Sequence, residues 1–286
     1  MSNLSLSRAQ RLDQKVIELI PQLSRAFAVR LINDGKVTVN GLAEAKPGRK
    51  LKPSDEVLVD YEMSQLSQIP AIDLLIIYED NDCLVIDKPA GILTHAKGAY
   101  NPEASVATFV NHKVNDLAGN RAGIVHRLDR GTSGVMIVAK NPQALKFLQK
   151  QFSMRKVNKT YLALIKGQIE PDAAIIDMPI ERNPKRPQSF RAGARGKAAK
   201  TIYKTLKFNG QFALLQLQPE TGRTHQLRVH LAELKHPIIG DNFYGGEADS
   251  RLMLHAKSLE ITLPSGQRKI FKSEVPEVII QKVVKK

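Results

Sequence analysis

The run Val135-Met136-Ile137-Val138-Ala139 follows directly on a turn-forming stretch, Gly123-Ile124-Val125-His126-Arg127-Leu128-Asp129-Arg130-Gly131-Thr132-Ser133-Gly134. Five consecutive apolar residues behind a glycine read as a fully buried strand, so the chain needs a sheet inside a substantial core. The turn that feeds this strand holds one carboxylate, Asp129, between two arginines. Loops fixed by a rigid strand are where chemistry tends to sit. A lone Asp in a turn is nonetheless most often a cap for nearby backbone amides, so the rest of the chain has to decide its role.

At 286 residues, there is room for one large domain and a small one. Hydrophobic residues make up 42% and charged residues 25%, an ordinary water-soluble balance. No apolar run approaches the roughly 20 residues of a membrane span, and Met1 to Gln10 lack the apolar core of a signal peptide. The chain therefore reads as cytoplasmic. Its single cysteine, Cys83, lies in a strand-like apolar run and can form neither an internal disulfide nor a thiolate metal site. Charge is more telling: 43 Lys and Arg against 28 Asp and Glu give +15. Such a field suits a polyanion, either nucleic acid or an anionic membrane face. Residues 1–70 hold ten basic and eight acidic residues, net +2, so +13 belongs to the rest.

In chain order, Leu12 to Ile20 shows helical spacing that stops at Pro21, and Ser24 caps a second expected helix from Arg25 to Asp34, with Gly35 as its stop. Val37-Thr38-Val39, the hairpin signal Asn40-Gly41 and the strand Glu56 to Asp60 complete a helix-helix-hairpin unit of about 60 residues. This order resembles the S4-type RNA-binding domain, which implies Arg25, Arg30 and Lys36 as phosphate contacts. Three basic residues on a short exposed helix and turn are otherwise simply a solvated face. Residues 63–73 read as a linker, separating an S4-like domain over 1–62 from a second domain over 74–286.

In that second part, strands are expected at Leu74 to Tyr78 and Cys83 to Ile86, and a short helix at Ser105 to Val114. A helix capped by Asn141-Pro142 runs to about Met154, and strands follow at Tyr161 to Ile165 and Phe212 to Leu217. From Arg182 to Lys200 there are seven basic residues and no acid, broken by prolines and glycines. That composition suits a mobile arm gripping a phosphate backbone, or low-complexity disorder. Thr224 is the expected cap of a helix carrying Leu227, His230 and Leu231, with Arg223 beside its anion-attracting start. Arg251 to Ala256 and Leu259 to Leu263 read as a closing pair of strands, followed by a basic tail.

Several chemistries lack their residues. His225 and His230 are five apart, so they diverge on a helix instead of sharing the i, i+4 face of a zinc-binding helix. Ser133 has no nucleophile-elbow pattern, and no glycine loop for a nucleotide is present. No metal and no cofactor is expected. What remains is one carboxylate, arginines, tyrosines and a positive field. Guanidinium groups favour the charged form of a nearby carboxylate, and a charged Asp can act as nucleophile or base without a cofactor.

Asp80 to Gly91, His126-Arg127-Leu128-Asp129 with Thr132-Ser133-Gly134, Lys159-Thr160-Tyr161, Thr221 to His230, His236-Pro237-Ile238, Gly240-Asp241 with Tyr244-Gly245, and Leu254-His255-Ala256 stand in the order seen in RluA-type pseudouridine synthases. The resemblance covers roughly residues 74–265, and with the S4-like unit it is similar to the large-subunit ribosomal RNA branch of that family. It implies isomerisation of uridine to pseudouridine within RNA, with Asp129 as the catalytic residue, Tyr161 stacking on the base and Arg223 pairing with Asp129. It further implies that Arg127 fills the gap left by a flipped base and that Leu254 forms an apolar wall of the uracil pocket. Without the resemblance, Tyr161 is a half-buried strand tyrosine and Leu254 a core residue. Where many relatives have Lys and Asp at the second and third positions of the turn after the catalytic Asp, this chain has Arg130 and Gly131.

The expected fold is α+β: a small S4-like domain, then a mixed, largely antiparallel sheet flanked by helices with a cleft across its middle. The alternatives are the same activity on transfer RNA, an RNA-binding assembly factor without chemistry, and a metal-dependent nuclease.

Overall fold

The computed structural model describes residues 10–21, 23, 25–61, 71–95, 103–117 and 121–284. The expected Ser24 cap and most of the expected linker lie outside the described residues. Residues 10–61 fold as α1 (Leu12–Leu19), α2 (Arg25–Asn33) and a small antiparallel sheet of β1 (Val37–Val39), β2 (Leu42–Ala43) and β3 (Val57–Val59), in the order β2-β1-β3. Leu12, Val16, Ala28, Ile32, Val37 and Val39 close its core. Asn40 and Gly41 both take positive φ, at 53° and 79°, which is what a two-residue hairpin turn demands.

The larger unit runs β4 (Leu75–Glu79), β5 (Cys83–Lys88), α3 (Val106–Val110), β6 (Ser133–Ala139), α4 (Pro142–Ser153), β7 (Asn158–Lys166) and β8 (Ala173–Asp177). It continues with β9 (Ile180–Arg182), β10 (Phe190–Ala192), β11 (Lys200–Phe208), β12 (Phe212–Pro219), α5 (Gln226–Glu233), β13 (Leu254–Thr262), β14 (Arg268–Lys272) and α6 (Glu277–Val284). Nine of these strands form one sheet in the order β4-β5-β6-β13-β7-β12-β11-β8, with β14 paired to β13. Every neighbouring pair is antiparallel except β6 and β13, which run parallel over Ser133 with His255 and Gly134 with Ala256. The fold is therefore the expected mixed, mostly antiparallel sheet flanked by helices.

All seven residues of β6 are buried. Met136 and Val138 pack towards α3 with Leu84 and Ile86, while Val135 and Ile137 pack towards α4 with Val85 and Leu148. Such two-sided burial is why the sequence here has no polar alternation. Asn141 caps α4 by accepting a bond from the Ala144 amide at 2.8 Å. On the other half of the sheet, Leu215, Leu217, Leu227, Leu231, Ile279 and Val283 form a second core under α5 and α6. Cys83 is wholly buried, and burial pushes its thiol up to about 12. No helix among the described residues is long and apolar enough to cross a membrane.

Two expectations are corrected, and the structure adds elements that the sequence reading lacked. The stretch from Arg182 to Lys200 is an ordered hairpin, β9 against β10, anchored by Ile180, Ala199 and Val229 with Phe190 and Tyr244 packed on them. Phe190 and Ala199 pack inward, so its charges say nothing of its order. Arg251 to Ala256 and Leu259 to Leu263 are not two strands: β13 is continuous, with an irregularity between Ala256 and Ser258 that shifts its phase, and its hairpin partner is β14. The basic tail contains α6, whose Ile279 and Val283 are buried at i, i+4 spacing. Strands β8 and β11 had no counterpart in the sequence reading.

Candidate active site

Asp129 precedes the sheet's parallel seam by four residues, and its loop is fastened on both sides. Lys88, fully buried at the end of β5, donates to the carbonyls of Pro89, Ile92 and Arg130 at 2.9, 2.8 and 3.2 Å. Burial pulls its ammonium down to about 7, although the Asp129 charge opposes this. Thr94 donates its hydroxyl to Leu128 O at 2.7 Å and accepts the Leu128 N–H at 3.2 Å. His126 accepts the Ile137 N–H on Nε2 at 3.1 Å and stacks on Phe152 with centroids 4.6 Å apart. Burial holds that imidazole down to about 3, so it stays a neutral acceptor. Arg130 is drawn aside by an ion pair with Glu103. A residue at the C-terminal side of such a loop has little freedom, which suits a reacting group.

Around Asp129, side chains converge from three elements. Arg228 of α5 brings Nη1 to 3.4 Å from Oδ2, while its Nε and Nη2 grip the buried Asp241 at 2.7 and 2.8 Å. His225, just before α5, brings Nε2 to 3.9 Å from Oδ1. From the sheet come Tyr161 on β7 and Leu254 on β13. Register pairs Ala256 with Tyr161 and Leu254 with Ala163, so the two side chains share a face as diagonal neighbours. Burial, and then the Asp129 charge, raises the Tyr161 phenol, which keeps its proton at neutral pH. A cavity of about 460 Å³ opens here, lined by Asp129, Tyr161, Leu254, Arg127, Lys159 and Arg228 among others. That is room for a nucleoside with its phosphate. Lys159 donates to Thr221 O at 3.4 Å, and burial lowers its ammonium to about 8.

The expected ion pair between Arg223 and Asp129 is replaced. Arg223 lines the cavity, but its Nε donates to Ala198 O at 3.0 Å, and the guanidinium that reaches Asp129 is that of Arg228. The reason lies in where α5 begins. Thr224 is not its cap: the chain enters through His225 in a left-handed conformation, φ 57° and ψ 19°, with no side-chain capping bond. Gln226 secures the preceding turn by accepting from Thr221 Oγ1 at 2.7 Å and from the Arg223 N–H at 3.0 Å. Arg223 is thereby left in the turn, and Arg228 stands in the first turn of the helix facing the loop. One signal for this was legible. Arg228 stands in an expected helix between the apolar Leu227 and Val229, where a guanidinium that turns inward needs a carboxylate, and Asp241 follows 13 residues on.

The remaining expected residues fall in different places. Arg127 is exposed at the cavity wall, and Leu254 is buried in it. Arg25, Arg30 and Lys36 belong to the unit of residues 10–61, where each is exposed and paired with a carboxylate: Asp13 at 2.9 Å, Asp34 at 3.4 Å and Asp60 at 3.2 Å. His230 turns away from the cavity to Thr201 Oγ1 and Met178 O, each at 3.0 Å.

A family model described as RNA pseudouridylate synthase matches residues 82–233, more than half of the chain, and an S4 domain model matches residues 10–57. The chain belongs to the RNA pseudouridylate synthase family. It is 39% identical over 249 residues to an RNA pseudouridine synthase of Aquifex aeolicus, spanning 84% of this chain and 78% of that one. It is 41% identical over 239 residues to the ribosomal large subunit pseudouridine synthase D of Borreliella burgdorferi, spanning 78% and 73%. Among solved structures it resembles human RNA pseudouridylate synthase domain containing 1, with TM-score 0.60 and 28% identity over 72% of this chain and 85% of that one. This pseudouridine synthase is thus an isomerase acting on RNA, with an S4 RNA-binding domain preceding its synthase domain.

Proposed function

We propose that this pseudouridine synthase modifies uridines of large-subunit ribosomal RNA and that Asp129 initiates the reaction. The observation that carries the residue assignment is the convergence of Asp129, Tyr161 and Leu254 on one cavity, with Arg228 as the cation beside the carboxylate. The relatives named ribosomal large subunit pseudouridine synthase D support the target. The limits 1–62, 63–73 and 74–286 are proposed for the S4 domain, linker and synthase domain.

The isomerisation breaks the bond from N1 to C1′ and makes one from C5 to C1′. One proton leaves C5 and one is gained at N1, so nothing is added overall. The target uracil must first leave its stack, at a cost of a few kcal/mol. The planar guanidinium of Arg127, exposed beside the cavity, offsets part of this by stacking where the base was. In the pocket, Leu254 excludes water from one side of the base and Tyr161 presents its ring to it. Attack on C1′, addition to C6 and removal of the 2′ proton all need a carboxylate at the junction of base and sugar, and Asp129 supplies it. Because the Tyr161 phenol is held protonated, it removes the C5 proton as a relay, taking it on oxygen while its own proton passes to solvent water, from which N1 takes the proton it gains.

The test is release of tritium from ribosomal RNA labelled at uridine C5, comparing wild type with Asp129→Ala. Wild type should release label into water and Asp129→Ala none, with RNA binding retained. Equal release by both would overturn the role of Asp129. Release from transfer RNA but not from large-subunit ribosomal RNA would overturn the target.

A further inference from the structure

His225 stands in an unusual position. It has a left-handed backbone, uncommon for a residue with a side chain, at the start of α5. Its ring is walled by Phe190, Phe243 and Tyr244, all edge-on, with centroids 5.6, 6.0 and 5.6 Å away. Its Nδ1 lies 2.8 Å from Tyr244 Oη, and that same hydroxyl accepts the Phe190 N–H at 3.0 Å. A phenol carries one proton. The oxygen already accepts from the Phe190 amide, and among the described residues Nδ1 is the acceptor within reach of the hydroxyl, so the proton is assigned to the Oη–Nδ1 bond with Nδ1 as acceptor. A neutral imidazole that accepts on Nδ1 carries its hydrogen on Nε2, the atom facing Asp129 Oδ1 at 3.9 Å. Burial lowers the His225 imidazole below its ordinary range, against the pull of the Asp129 charge, so the neutral form is the resting one.

We propose that His225, its tautomer fixed by Tyr244, is a positioning residue that orients the Asp129 carboxylate and links it to the basic hairpin. The inference rests on Asp129 carrying the chemistry. In the open cavity the contact at 3.9 Å is longer than a hydrogen bond, and such contacts tighten when substrate closes the site. Arg228 then holds Oδ2 and His225 holds Oδ1, which fixes the rotation of the carboxylate about its own axis. The chain of contacts runs from the Phe190 amide in β10 through Tyr244 Oη and the His225 ring to Asp129. Arg182 stacks on the Phe190 ring at 5.5 Å, and the Ala192 N–H donates to Glu233 at the end of α5 at 3.2 Å. This chain of contacts would link RNA seated on the hairpin to the orientation of the Asp129 carboxylate.

The experiment measures single-turnover tritium release at saturating enzyme from total RNA labelled at uridine C5, made in cells lacking this enzyme. It compares wild type, Tyr244→Phe, His225→Asn, His225→Gln and Asp129→Ala, with RNA affinity and thermal unfolding recorded for each. Tyr244→Phe keeps the ring and removes the hydroxyl. His225→Asn tolerates the left-handed backbone but cannot reach Asp129, whereas the amide N–H₂ of His225→Gln extends to where Nε2 stood. Tyr244→Phe and His225→Asn should each slow turnover about tenfold, the rate equivalent of one lost oriented hydrogen bond. RNA affinity should stay within about twofold and His225→Gln should recover most of the rate, since removing a positioning contact leaves substrate binding in place. If Tyr244→Phe and His225→Asn turn over at the wild-type rate while Asp129→Ala is dead, the positioning role is overturned and Asp129 stands. A loss of stability or RNA affinity without a slower saturated rate also overturns it. Wild-type release by Asp129→Ala would overturn the Asp129 reading itself.

Discussion

Arg228 serves two carboxylates at once, gripping Asp241 with Nε and Nη2 at 2.7 and 2.8 Å and turning Nη1 towards Asp129 at 3.4 Å. Asp241 is only 1% exposed, so the bidentate pair is the fixed part and sets where the third nitrogen points. Lysine offers a point charge and cannot hold both acids. Arg228→Lys should cut saturated turnover by about a hundredfold, the size expected when one aimed donor is lost. Arg223→Lys, changed at a residue bound to Ala198 O, should leave saturated turnover within about threefold, because it removes no contact to Asp129. Urea unfolding of Arg228→Ala should show a loss of about 3 to 5 kcal/mol, because Asp241 is left buried and unpaired.

The parallel seam beside the cavity depends on one glycine. Gly134 has φ +114°, and a Cβ there would lie 2.2 Å from the carbonyl oxygen of Ala256 on β13. Both backbone and space forbid a side chain, so β6 and β13 meet only because residue 134 has none. Gly134→Ala should lower stability by about 3 kcal/mol or more. Since β13 carries Leu254 and β6 follows the Asp129 loop, turnover should fall with the melting temperature. Calorimetry and the tritium assay on the same preparation check both.

Lys88 gives the loop a pH signature. Its folded value of about 7 lies below the ordinary lysine range, with burial as the main cause. Between about pH 7 and pH 10 the unfolded chain therefore holds a proton that the folded chain has released, and stability from this group rises with pH across that window. Below pH 7 the cost of the buried ammonium is fully present. Lys88→Met, similar in length and uncharged, removes the titration together with the bonds to Pro89, Ile92 and Arg130. Urea midpoints from pH 6.5 to 9.5 should climb more steeply for wild type than for Lys88→Met. Parallel curves would place the titration elsewhere.

What could be read from the sequence was what neighbours in sequence decide. The apolar run from Val135 to Ala139, the Asn40-Gly41 turn and the Asn141 cap are local signals, and each is found in place. Choosing between Arg223 and Arg228 was not local. It turns on where α5 starts, which is set by the bonds of Gln226 to Thr221, Lys200 and Thr201, the last two 26 and 25 residues away in sequence. β13 was hidden because its irregularity near Lys257 reverses the alternation halfway, so one strand imitates two. The hairpin was hidden for a similar reason: Ile180, Phe190 and Ala199 anchor it through Val229 and Tyr244, residues that only the fold brings near.

That hairpin holds its basic residues in two ways. Arg191 is committed to Glu181 at 2.7 Å, and Arg182 is bound to Pro187 O and the Phe190 ring. Lys185, Arg186 and Arg195 are exposed on the same hairpin, and they are the side chains best placed to displace counterions from a phosphate backbone. Each phosphate contact on single-stranded or duplex RNA adds roughly 0.7 to 0.9 to the slope of log affinity against log salt. Changing all three to Ala should therefore flatten the slope by about 2 to 3 units and leave melting temperature unchanged, since none of them packs in the core. The contacts from Phe190 to Tyr244 and His225 are untouched by this triple change. At saturating enzyme its turnover should fall only as far as RNA on the hairpin helps to seat Asp129. A wild-type salt slope in the triple variant, measured by filter binding from 50 to 300 mM salt, would show that RNA does not contact this hairpin.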